Sequence, residues 1–429
     1  MARVSYADLW GLRDGKYRYL LENDVSTTDW QTVKPVSPYL FFVAHDTKLL
    51  SEYQQAWSLA TVFLANSVAV GTYRDHLAVA FDEGELRSRI AMLRDRSVAD
   101  ARARDELGIR DTSNWTLSGA REAVHKDNAW QQRVRRYLYR PFDVRYIFYS
   151  ADIVARPRPQ VMRHMLNWNI GLLAVRRIRT PTPQHLLATT LVADKSAVSV
   201  KDNCSMFPLY VHLVPHEAEG SLFPTEEVTR EPNLSPDFIA AVADKLLLDF
   251  VRDGKGDLEN TFGPEDVFHY MYAVFHSPTY RERYAEFLKI DFPRLPLTSD
   301  LDLFRALAEK GEELVALHLM ESPRLNDLIT RFHGEDSNEV EKVRYAETSE
   351  ERPGRVYINK TQYFEGVEPD VWEFHIGGYQ VLHKWLKDRK GRKLSFDDVY
   401  HYQKIVVALK ETMRLMEEID DLIPGWPIE

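Results

Sequence analysis

The sequence predicts an α+β fold, in which a β-rich middle third lies between an N-terminal α/β segment and a mainly helical C-terminal half. Short aromatic and β-branched runs, separated by proline- and glycine-bearing turns, dominate from about residue 135 to 212 and favour strands. Beyond residue 233, apolar residues recur at the helix period. A chain of 429 residues has room for two or three domains. We expect divisions at 1–130, 131–232 and 233–429.

The N-terminal third mixes strand-like and helical patterns. PYLFFVAHD (38–46) and HLAVAFD (76–82) are predicted strands, because both are rich in aromatic and aliphatic residues. Acidic and basic residues then alternate over 83–107 around apolar residues near the helix period, which predicts one helical stretch. Ser113 or Asn114 is expected to begin another helix.

The middle third is predicted to be β structure with stiff loops. YIFYS, GLLAV and PLYVHLV are the strand candidates. Two prolines in RPRPQ (156–160) and two in RTPTPQ (179–184) remove amide donors and hold the backbone extended, so both segments are expected to be loops that present arginines outward. By composition, 217–236 is a linker.

The C-terminal half carries helix-start signals. Ser235 precedes Pro236, which predicts a capped helix running to Gly254. Ser395 with Asp398 forms a capping-box pattern at the start of a long final helix. RVYIN and QYFEGV predict a short β excursion between these helices. The packing face of the last helix is predicted to include Phe396, Val399, Val406, Leu409, Met413 and Met416.

Composition points to a cytoplasmic protein. Cys204 is the single cysteine, so an internal disulfide framework and a cysteine-rich zinc module are excluded. The first twenty residues lack the uninterrupted apolar core of a signal peptide. No apolar run approaches the length needed to span a membrane, and no membrane partner is expected.

Positive charge is concentrated in two places on an acidic chain. The formal net charge is −10, yet residues 131–180 contain eleven arginines and only two acids. A second cluster, HKWLKDRKGRK at 383–393, has six lysines and arginines against Asp388 alone. Local positive charge on an acidic body attracts a polyanion to that place and repels it elsewhere.

Sequence signatures of catalysis are missing or weak. The chain has no Pro-Pro-Tyr motif and no Gly-x-Gly-x-x-Gly after a strand. Asp237, Asp253 and Lys255 formally match a loose pattern of Mg²⁺-dependent nucleases, in which two carboxylates hold the metal and a lysine positions water. That site requires adjacent strands, whereas this stretch is predicted to be a helix. Helix capping is therefore the preferred interpretation of these residues.

The arginine-rich segment admits two interpretations. Arginines can pair with the surplus acids of the chain, and Arg140 and Arg145 bracket Asp143 in a way that suggests this structural role. A preference for arginine over lysine instead favours nucleic acid, because a guanidinium makes bidentate contacts to phosphate and guanine and stacks on bases. We favour DNA or RNA binding over a solvated basic face.

Several ordered blocks resemble a known family. YRPFDVRYIFYS, RPRPQVMRHM, GLLAVRR, VADKSAVSVKDNCSMFPLYVH and IGGYQVLHKWLKDRKGRKLSFDDVYHYQKIVVALKET are similar to the C-terminal target recognition region of single-chain type ISP and type IIG restriction–modification enzymes. VSYADLWGLRDGKYRYLLENDVSTTDW resembles the segment that follows their methyltransferase motifs. The resemblance extends over essentially the whole chain.

The resemblance implies a sequence-specific double-stranded DNA recognition module that positions methyltransferase and nuclease parts. Because the methyltransferase motifs are absent, catalysis is not expected from this chain alone, and it is interpreted as a split or truncated product or as the partner of a catalytic chain. S-adenosylmethionine and Mg²⁺ are expected only for those catalytic parts, and no cofactor or metal is expected here. The alternatives are the Mg²⁺-dependent nuclease and a helical interaction scaffold that docks a methyltransferase or motor partner.

The predicted DNA contacts lie in both basic segments. Phosphate contacts give affinity and base contacts give specificity, so a few arginines suffice to read a short site. Gly377-Gly378 permits a tight turn beside the second cluster. The charged residues of that cluster either bind backbone phosphates or form the solvent-exposed edge of a block that packs against the final helix. The predicted base readers are Arg156, Arg158, Arg163, Arg176, Arg177 and Arg179. Lys195 and Lys201 are predicted phosphate or base contacts, and the predicted phosphate contacts of the second cluster are Lys384, Lys387, Arg389, Lys390 and Arg392.

Overall fold

A computed structural model describes residues 3–37, 39–43, 48–180, 184–213, 229–335, 337–349 and 353–428. The chain divides into two compact units, Met1–Tyr53 and Gln54–Glu429. The smaller unit contains one two-stranded antiparallel sheet and a helix. The larger unit contains the β-rich and helical segments. The divisions expected at residues 130 and 232 stay a prediction.

The helices are mostly short in the first half of the chain and long in the second. Within the described residues they are α1 Arg13–Glu22, α2 Leu50–Gln55, α3 Leu59–Val62, α4 Asp75–Ala78, α5 Glu83–Arg94, α6 Asp100–Leu107, α7 Leu117–Lys126, α8 Pro159–Met162, α9 Pro236–Leu246, α10 Pro264–His276, α11 Pro278–Arg283, α12 Ala285–Leu288, α13 Leu301–His318, α14 Pro369–Trp372, α15 Val381–Lys387 and α16 Phe396–Leu422.

The strands are short throughout. Within the described residues they are β1 Val4–Tyr6, β2 Gln31–Val33, β3 Trp57–Ser58, β4 Ser67–Val68, β5 Val79–Ala80, β6 Val134–Arg140, β7 Asp143–Phe148, β8 Gly171–Val175, β9 Leu186–Thr189, β10 Val192–Ala193, β11 Cys204–Pro208, β12 Tyr210–His212, β13 Arg230–Pro232, β14 Asp249–Phe250, β15 Thr261–Phe262, β16 Arg294–Leu295, β17 Arg331–His333, β18 Arg344–Ala346, β19 Arg355–Tyr357, β20 Tyr363–Glu365, β21 His375–Ile376 and β22 Tyr379–Gln380.

Three four-stranded sheets organise the larger unit. Their strand orders are β10-β6-β7-β5, β4-β11-β8-β9 and β17-β20-β19-β18. In the first sheet β10 runs parallel to β6 while the other neighbours are antiparallel, and the second sheet is antiparallel throughout. The sheets are mostly antiparallel, and the long helices α10, α13 and α16 pack on one another, which confirms the α+β class.

The helical part packs around α10, which is buried on nearly all sides. α13 lies against α10 and also contacts α16. The crossing of α10 and α13 is close at Gly311, where a Cβ atom would lie 1.8 Å from the carbonyl oxygen of His269. Only glycine fits there, because the obstructing atom belongs to the backbone. No helix in the described part of the chain is both long and apolar enough to span a bilayer.

The predicted helix starts of the C-terminal half are confirmed. The Ser235 hydroxyl accepts a hydrogen bond from the backbone N–H of Phe238 at 3.3 Å, and Pro236 occupies the first helical position. Ser395 and Asp398 form the capping box of α16. These caps satisfy amide donors that otherwise have no intrahelical partner. The RVYIN and QYFEGV segments contain β19 and β20, as expected.

Two C-terminal predictions are wrong. The helix after Ser235 ends at Leu246, because Leu247 adopts a left-handed φ of 56° and the following residues pair with β15 as β14. Phe396 is 81% exposed, whereas Val399, Val406 and Leu409 are buried on α16. As the first residue of the helix, Phe396 extends beyond the surface that α16 packs against.

The N-terminal third differs from prediction in three places. Tyr39 to Val43 form turns instead of a strand, while residues 38 and 44–46 lie outside the described residues. Within 76–82, only Val79–Ala80 is a strand, and the turn of helix α4 precedes it. The stretch 83–107 forms two helices, because the buried Arg121 side chain donates to the carbonyl oxygens of Leu93 (3.0 Å) and Val98 (2.7 Å) where α5 ends.

Two further boundaries are corrected. The helix expected from Ser113 or Asn114 begins at Leu117, since the Thr116 hydroxyl caps it by accepting from the N–H of Gly119 at 3.2 Å. Most of the predicted linker at 217–236 lies outside the described residues. Its described end forms β13, which pairs with β12.

Candidate nucleic-acid interface

The register of the β4-β11-β8-β9 sheet gathers three chain segments at one edge. Val68 pairs with Ser205, and Val175 pairs with Cys204. Since these strand pairs are antiparallel, the ends of β4 and β8 lie beside the start of β11. Residues 70–74, 176–179 and 194–203 therefore emerge together, and we call them the strand-end surface.

A fourth segment joins this edge through an isolated antiparallel bridge. Gly71 pairs with Arg156, with the Gly71 N–H donating to the Arg156 carbonyl at 3.1 Å and the reverse bond at 2.9 Å. The N–H of Lys195 donates to the carbonyl of Val70 at 2.8 Å. The proline loop at 156–160 and the 194–203 segment are thus both attached to the backbone that follows β4.

Tyr73 lies among three cations on this surface. The Lys195 ammonium donates to the Tyr73 hydroxyl at 3.1 Å and lies 4.3 Å from the ring centroid. Lys195, and more weakly Arg156 and Arg158, lower the pKa of the Tyr73 hydroxyl. The Tyr73 side chain is nevertheless 65% exposed. We call Tyr73, Arg156, Arg158 and Lys195 the Tyr73 cluster.

A buried carboxylate fixes the start of the Lys195 segment. Asp194 is 4% exposed, and it accepts from the Tyr137 hydroxyl at 2.8 Å and from Arg140 at 3.0 Å. It also accepts from the N–H of Ser196 at 2.8 Å. Burial raises the pKa of the Asp194 carboxyl although Arg140 opposes the shift. Arg140 therefore holds Asp194 in place and, through it, positions the next residue, Lys195.

The three arginines after β8 differ in their pairing. Arg176 contacts Asp291 at 2.9 Å and Arg179 contacts Asp202 at 2.6 Å, although both arginine side chains are 63% exposed. Arg177 is exposed and forms no salt bridge within the described residues. Arg176 and Arg179 would therefore have to exchange a carboxylate partner in order to bind an external anion. Arg177 is available without such an exchange.

The Gly377-Gly378 turn brings the second basic cluster to the same edge. The N–H of Val200 donates to the Gly377 carbonyl at 3.0 Å, and the Tyr379 hydroxyl donates to the carbonyl of Ser196 at 3.0 Å. A Cβ atom at Gly377 would lie 1.8 Å from the Val198 carbonyl oxygen. The β21–β22 hairpin that leads into α15 therefore packs directly on the 194–203 segment.

The predicted contacts of the second cluster do not form one surface. Lys387 and Lys390 are exposed and form no salt bridge in the described part of the chain. Lys384 contacts Asp388 at 2.6 Å and lies 5.8 Å from the Tyr379 ring. Arg392 lies over the Phe81 ring at 4.5 Å, within 4.0 Å of Glu85.

Arg389 is placed in the interior and is removed from the candidate contacts. Its side chain is 8% exposed, contacts Asp143 at 3.0 Å and stacks on Trp385 at 3.4 Å from the ring centroid. The carboxylate of Asp143 also contacts Arg145 at 2.7 Å. The contact between Arg145 and Asp143 agrees with the structural role expected for Arg145. The contact of Arg389 with Asp143 was not predicted, because the two residues are far apart in the sequence.

The remaining predicted contacts lie at separate places. Lys201 is exposed beside Arg179, whose guanidinium donates to the Lys201 carbonyl at 2.8 Å. Arg163 is exposed after α8, and its Nε lies 3.4 Å from His164. The sequence did not single out Tyr73, since GTYRD has no pattern that distinguishes an exposed tyrosine from a packed one.

The residues of the nuclease alternative do not converge on a metal site. Asp237 lies in the first turn of α9, Asp253 pairs with Arg230, and Lys255 pairs with Glu312. No group of three metal-ligating side chains occurs among the residues that the structure describes. These positions agree with capping and surface pairing.

Cations grouped at the ends of strands, beside a packed helical layer, are typical of a surface that binds a polyanion. Residues 61–418 match the model of the Type ISP C-terminal specificity domain, and the chain belongs to this family. No curated protein sequence matches the chain.

Solved structures share the fold. The DrdV–DNA complex, determined by cryoEM, aligns with a TM-score of 0.70 at 18% identity over 97% of this chain and 43% of that one. A nuclease-deletion mutant of the Type ISP restriction–modification enzyme LlaGI, in complex with a DNA substrate mimic, aligns with a TM-score of 0.65 at 16% identity over 97% and 33%. The ATP-dependent Type ISP enzyme LlaBIII, bound to DNA, aligns with a TM-score of 0.65 at 16% identity over 93% and 26%. The chain thus spans less than half the length of each of these three chains.

Proposed function

We propose that this chain binds double-stranded DNA at one short sequence and positions the catalytic parts of a restriction–modification enzyme over it. The observation that carries the proposal is the strand-end surface with the attached 156–160 loop. There Arg156, Arg158, Arg177, Lys195 and Lys201 form no salt bridge with a carboxylate within the described residues. A protein with a net charge of −10 and 65 acidic residues has ample carboxylates to neutralise them. Cations left unpaired in such a chain favour an external polyanion.

The proposed division of labour follows from nucleic-acid chemistry. Phosphate contacts supply affinity and orientation without sequence information, whereas side chains on base edges discriminate by roughly 1–3 kcal/mol for each good bidentate pair. Arg177 is the leading candidate reader, because it is exposed and has no competing ion pair. The 156–160 loop and the 194–203 segment are held by backbone hydrogen bonds, which reduces the entropy lost on docking.

Methylation and cleavage belong to other parts of the proposed assembly, either in the same polypeptide or in a partner chain. In that assembly S-adenosylmethionine and Mg²⁺ serve the catalytic parts. The family membership and the DNA-bound enzymes of the same fold support this arrangement. A cytoplasmic location, expected from the cysteine content, belongs to the same proposal.

Selection from a random duplex library tests the proposal most directly. The purified chain should enrich one short sequence over repeated rounds, and its affinity should fall steeply between about 50 and 200 mM salt as condensed counterions are released. Recovery of all sequences equally would contradict sequence recognition. Mg²⁺-dependent cleavage of a plasmid that is abolished by Asp253→Asn would instead support the nuclease alternative.

A further inference from the structure

Two residues of the Tyr73 cluster adopt a backbone conformation that is rare for their type. Tyr73 has φ 53° and Arg158 has φ 55°. Each lies two positions after a partner of the Gly71–Arg156 bridge. Left-handed conformations of bulky residues persist only where the surroundings over-determine them, and they are concentrated at binding sites.

The structure fixes Tyr73 from both sides. A Cβ atom at Gly71 would lie 2.8 Å from Cε2 of Tyr73, so a side chain at position 71 would displace the ring. The next residue, Arg74, donates to the Ile153 carbonyl at 2.9 Å and lies 4.2 Å from the centroid of the Trp115 ring. The hydroxyl of Tyr73 is consequently held beside Lys195 while most of its ring faces solvent.

Arg158 has a donor without an acceptor. Its Nε atom is buried and forms no hydrogen bond within the described structure. The preceding carbonyl, that of Pro157, accepts from the Tyr149 hydroxyl at 2.6 Å, which holds the loop in place. A buried charged donor is costly without a partner. A small movement of the Arg158 side chain that brings Nε to an acceptor from outside the protein would therefore relieve a penalty that the free protein carries.

The charge around this donor is unbalanced. Arg156, Arg158 and Lys195 form no salt bridge with a carboxylate among the described residues, whereas Arg176 and Arg179 each contact one. Three cations around one phenol repel each other, and a single anion among them removes that repulsion. The edge of a base carries no net charge and is contacted by single side chains. A base would therefore not neutralise three neighbouring cations.

We propose that the Tyr73 cluster binds one phosphodiester group of the DNA backbone and sets the register of the protein on the duplex. This inference rests on the proposed function and reassigns Arg158, which the sequence suggests as a base reader, to a phosphate contact. Arg158 offers a forked donor to the phosphate oxygens, Lys195 supplies a point charge, and the Tyr73 hydroxyl donates a further hydrogen bond.

The test compares variants on a duplex of the selected sequence and on a scrambled duplex of equal length. Arg158→Gln and Lys195→Gln should each weaken binding to both duplexes by the same factor, roughly 10-fold. The two substitutions combined should reduce the slope of log affinity against log salt by about 0.9, the value for one phosphate contact. Arg102→Gln is the matched control and should leave affinity and salt slope unchanged, since Arg102 is exposed on α6, outside both basic segments, and is paired with Glu106.

A second measurement locates the phosphate. Single methylphosphonate substitutions, which remove one backbone charge, are scanned along the selected duplex. At one position the loss of affinity measured for the wild-type protein should be smaller in both Arg158→Gln and Tyr73→Phe, because each variant has already lost one contact to that phosphate. Melting temperatures of all variants establish that they are folded, and Lys195→Gln tests the same cluster should Arg158→Gln unfold.

The outcomes separate this inference from the proposed function. Sequence-selective binding that loses its discrimination in Arg158→Gln or Lys195→Gln would overturn the phosphate assignment and leave DNA recognition intact. An unchanged methylphosphonate profile in every cluster variant would also overturn it. Failure of the wild type to prefer any sequence would instead reject the proposed function.

Discussion

The carboxylate of Asp143 and the guanidinium of Arg389 form a buried ion pair at 3.0 Å across 246 residues of sequence. Asp143 lies at the start of β7 in the middle third, and Arg389 follows α15 in the second basic cluster. The side chain of Asp143 is 1% exposed and that of Arg389 is 8% exposed. The pair ties the two arginine-rich regions together from the inside, so part of the positive charge noted in the sequence belongs to the core.

Removal of this carboxylate should destabilise the fold strongly. Burial alone would raise the pKa of Asp143, but Arg389 and Arg145 outweigh it and hold that pKa below its ordinary value. Asp143→Asn removes the nearest counter-charge of two buried guanidiniums, which keep only the longer contacts of Arg145 with Asp388 (3.2 Å) and of Arg389 with Asp398 (3.7 Å). The substitution should cost up to about 3–5 kcal/mol. Urea unfolding at neutral pH measures the change. Glu368→Gln, which removes the exposed pair with Lys410, is the control and should cost at most about 1 kcal/mol. Equal effects would contradict the structural role of Asp143.

Mild acid should destabilise the protein through its buried histidines, among them His276 and His318 of the helical part. Burial and the nearby Arg281 guanidinium lower the pKa of His318 to about 3, and burial also lowers the pKa of His276. Both histidines are neutral in the folded state, so their stabilisation is complete above the unfolded pKa of about 6.5 and is lost as pH falls below it. The free energy of unfolding should decline by about 1.4 kcal/mol per pH unit for each histidine.

Single substitutions assign this pH dependence. His318→Gln should reduce the slope between pH 6 and 5 by about 1.4 kcal/mol per pH unit, because one protonation step is lost. The exposed His125→Gln is the control and should leave the slope unchanged. An unaltered slope in His318→Gln would show that other groups cause the decline.

The Gly377 turn should be required for DNA binding as well as for stability. Gly377 and Gly391 both have positive φ values, 59° and 76°, but a Cβ atom meets the Val198 carbonyl at 1.8 Å only at Gly377. Gly377→Ala should therefore cost about 1–3 kcal/mol more than Gly391→Ala and displace the 194–203 segment. Thermal unfolding and duplex affinity of both variants test this. Equal effects in the two variants would mean that the hairpin does not support the strand-end surface.

Adjacent arginines should respond differently to substitution. Arg177→Ala should reduce the discrimination between the selected and scrambled duplexes by roughly 1–3 kcal/mol, the amount expected for one bidentate base contact. Arg176→Ala should change discrimination little, because Asp291 already occupies the Arg176 guanidinium at 2.9 Å. Competition binding with the two duplexes measures both. Unchanged discrimination in Arg177→Ala would remove Arg177 from the readers.

Local features were correctly predicted from the sequence. The start of α9 at Ser235-Pro236 and the capping box of Ser395 with Asp398 depend on atoms within a few residues, so neighbouring letters determine them. The end of α9 was not predictable in this way. It depends on pairing between β14 and β15, which the helical pattern does not reveal.

The sequence by itself determined the α+β class, the family and the two places where cations accumulate. Only the tertiary structure decided which of those cations are available, because pairing depends on distances between residues far apart in the chain. Arg389 is withdrawn by Asp143 from the middle third, whereas Arg158 is left with a buried donor that no described acceptor satisfies. Tyr73 joins the site for the same reason, since the strand register that places Lys195 against it is a property of the folded sheet.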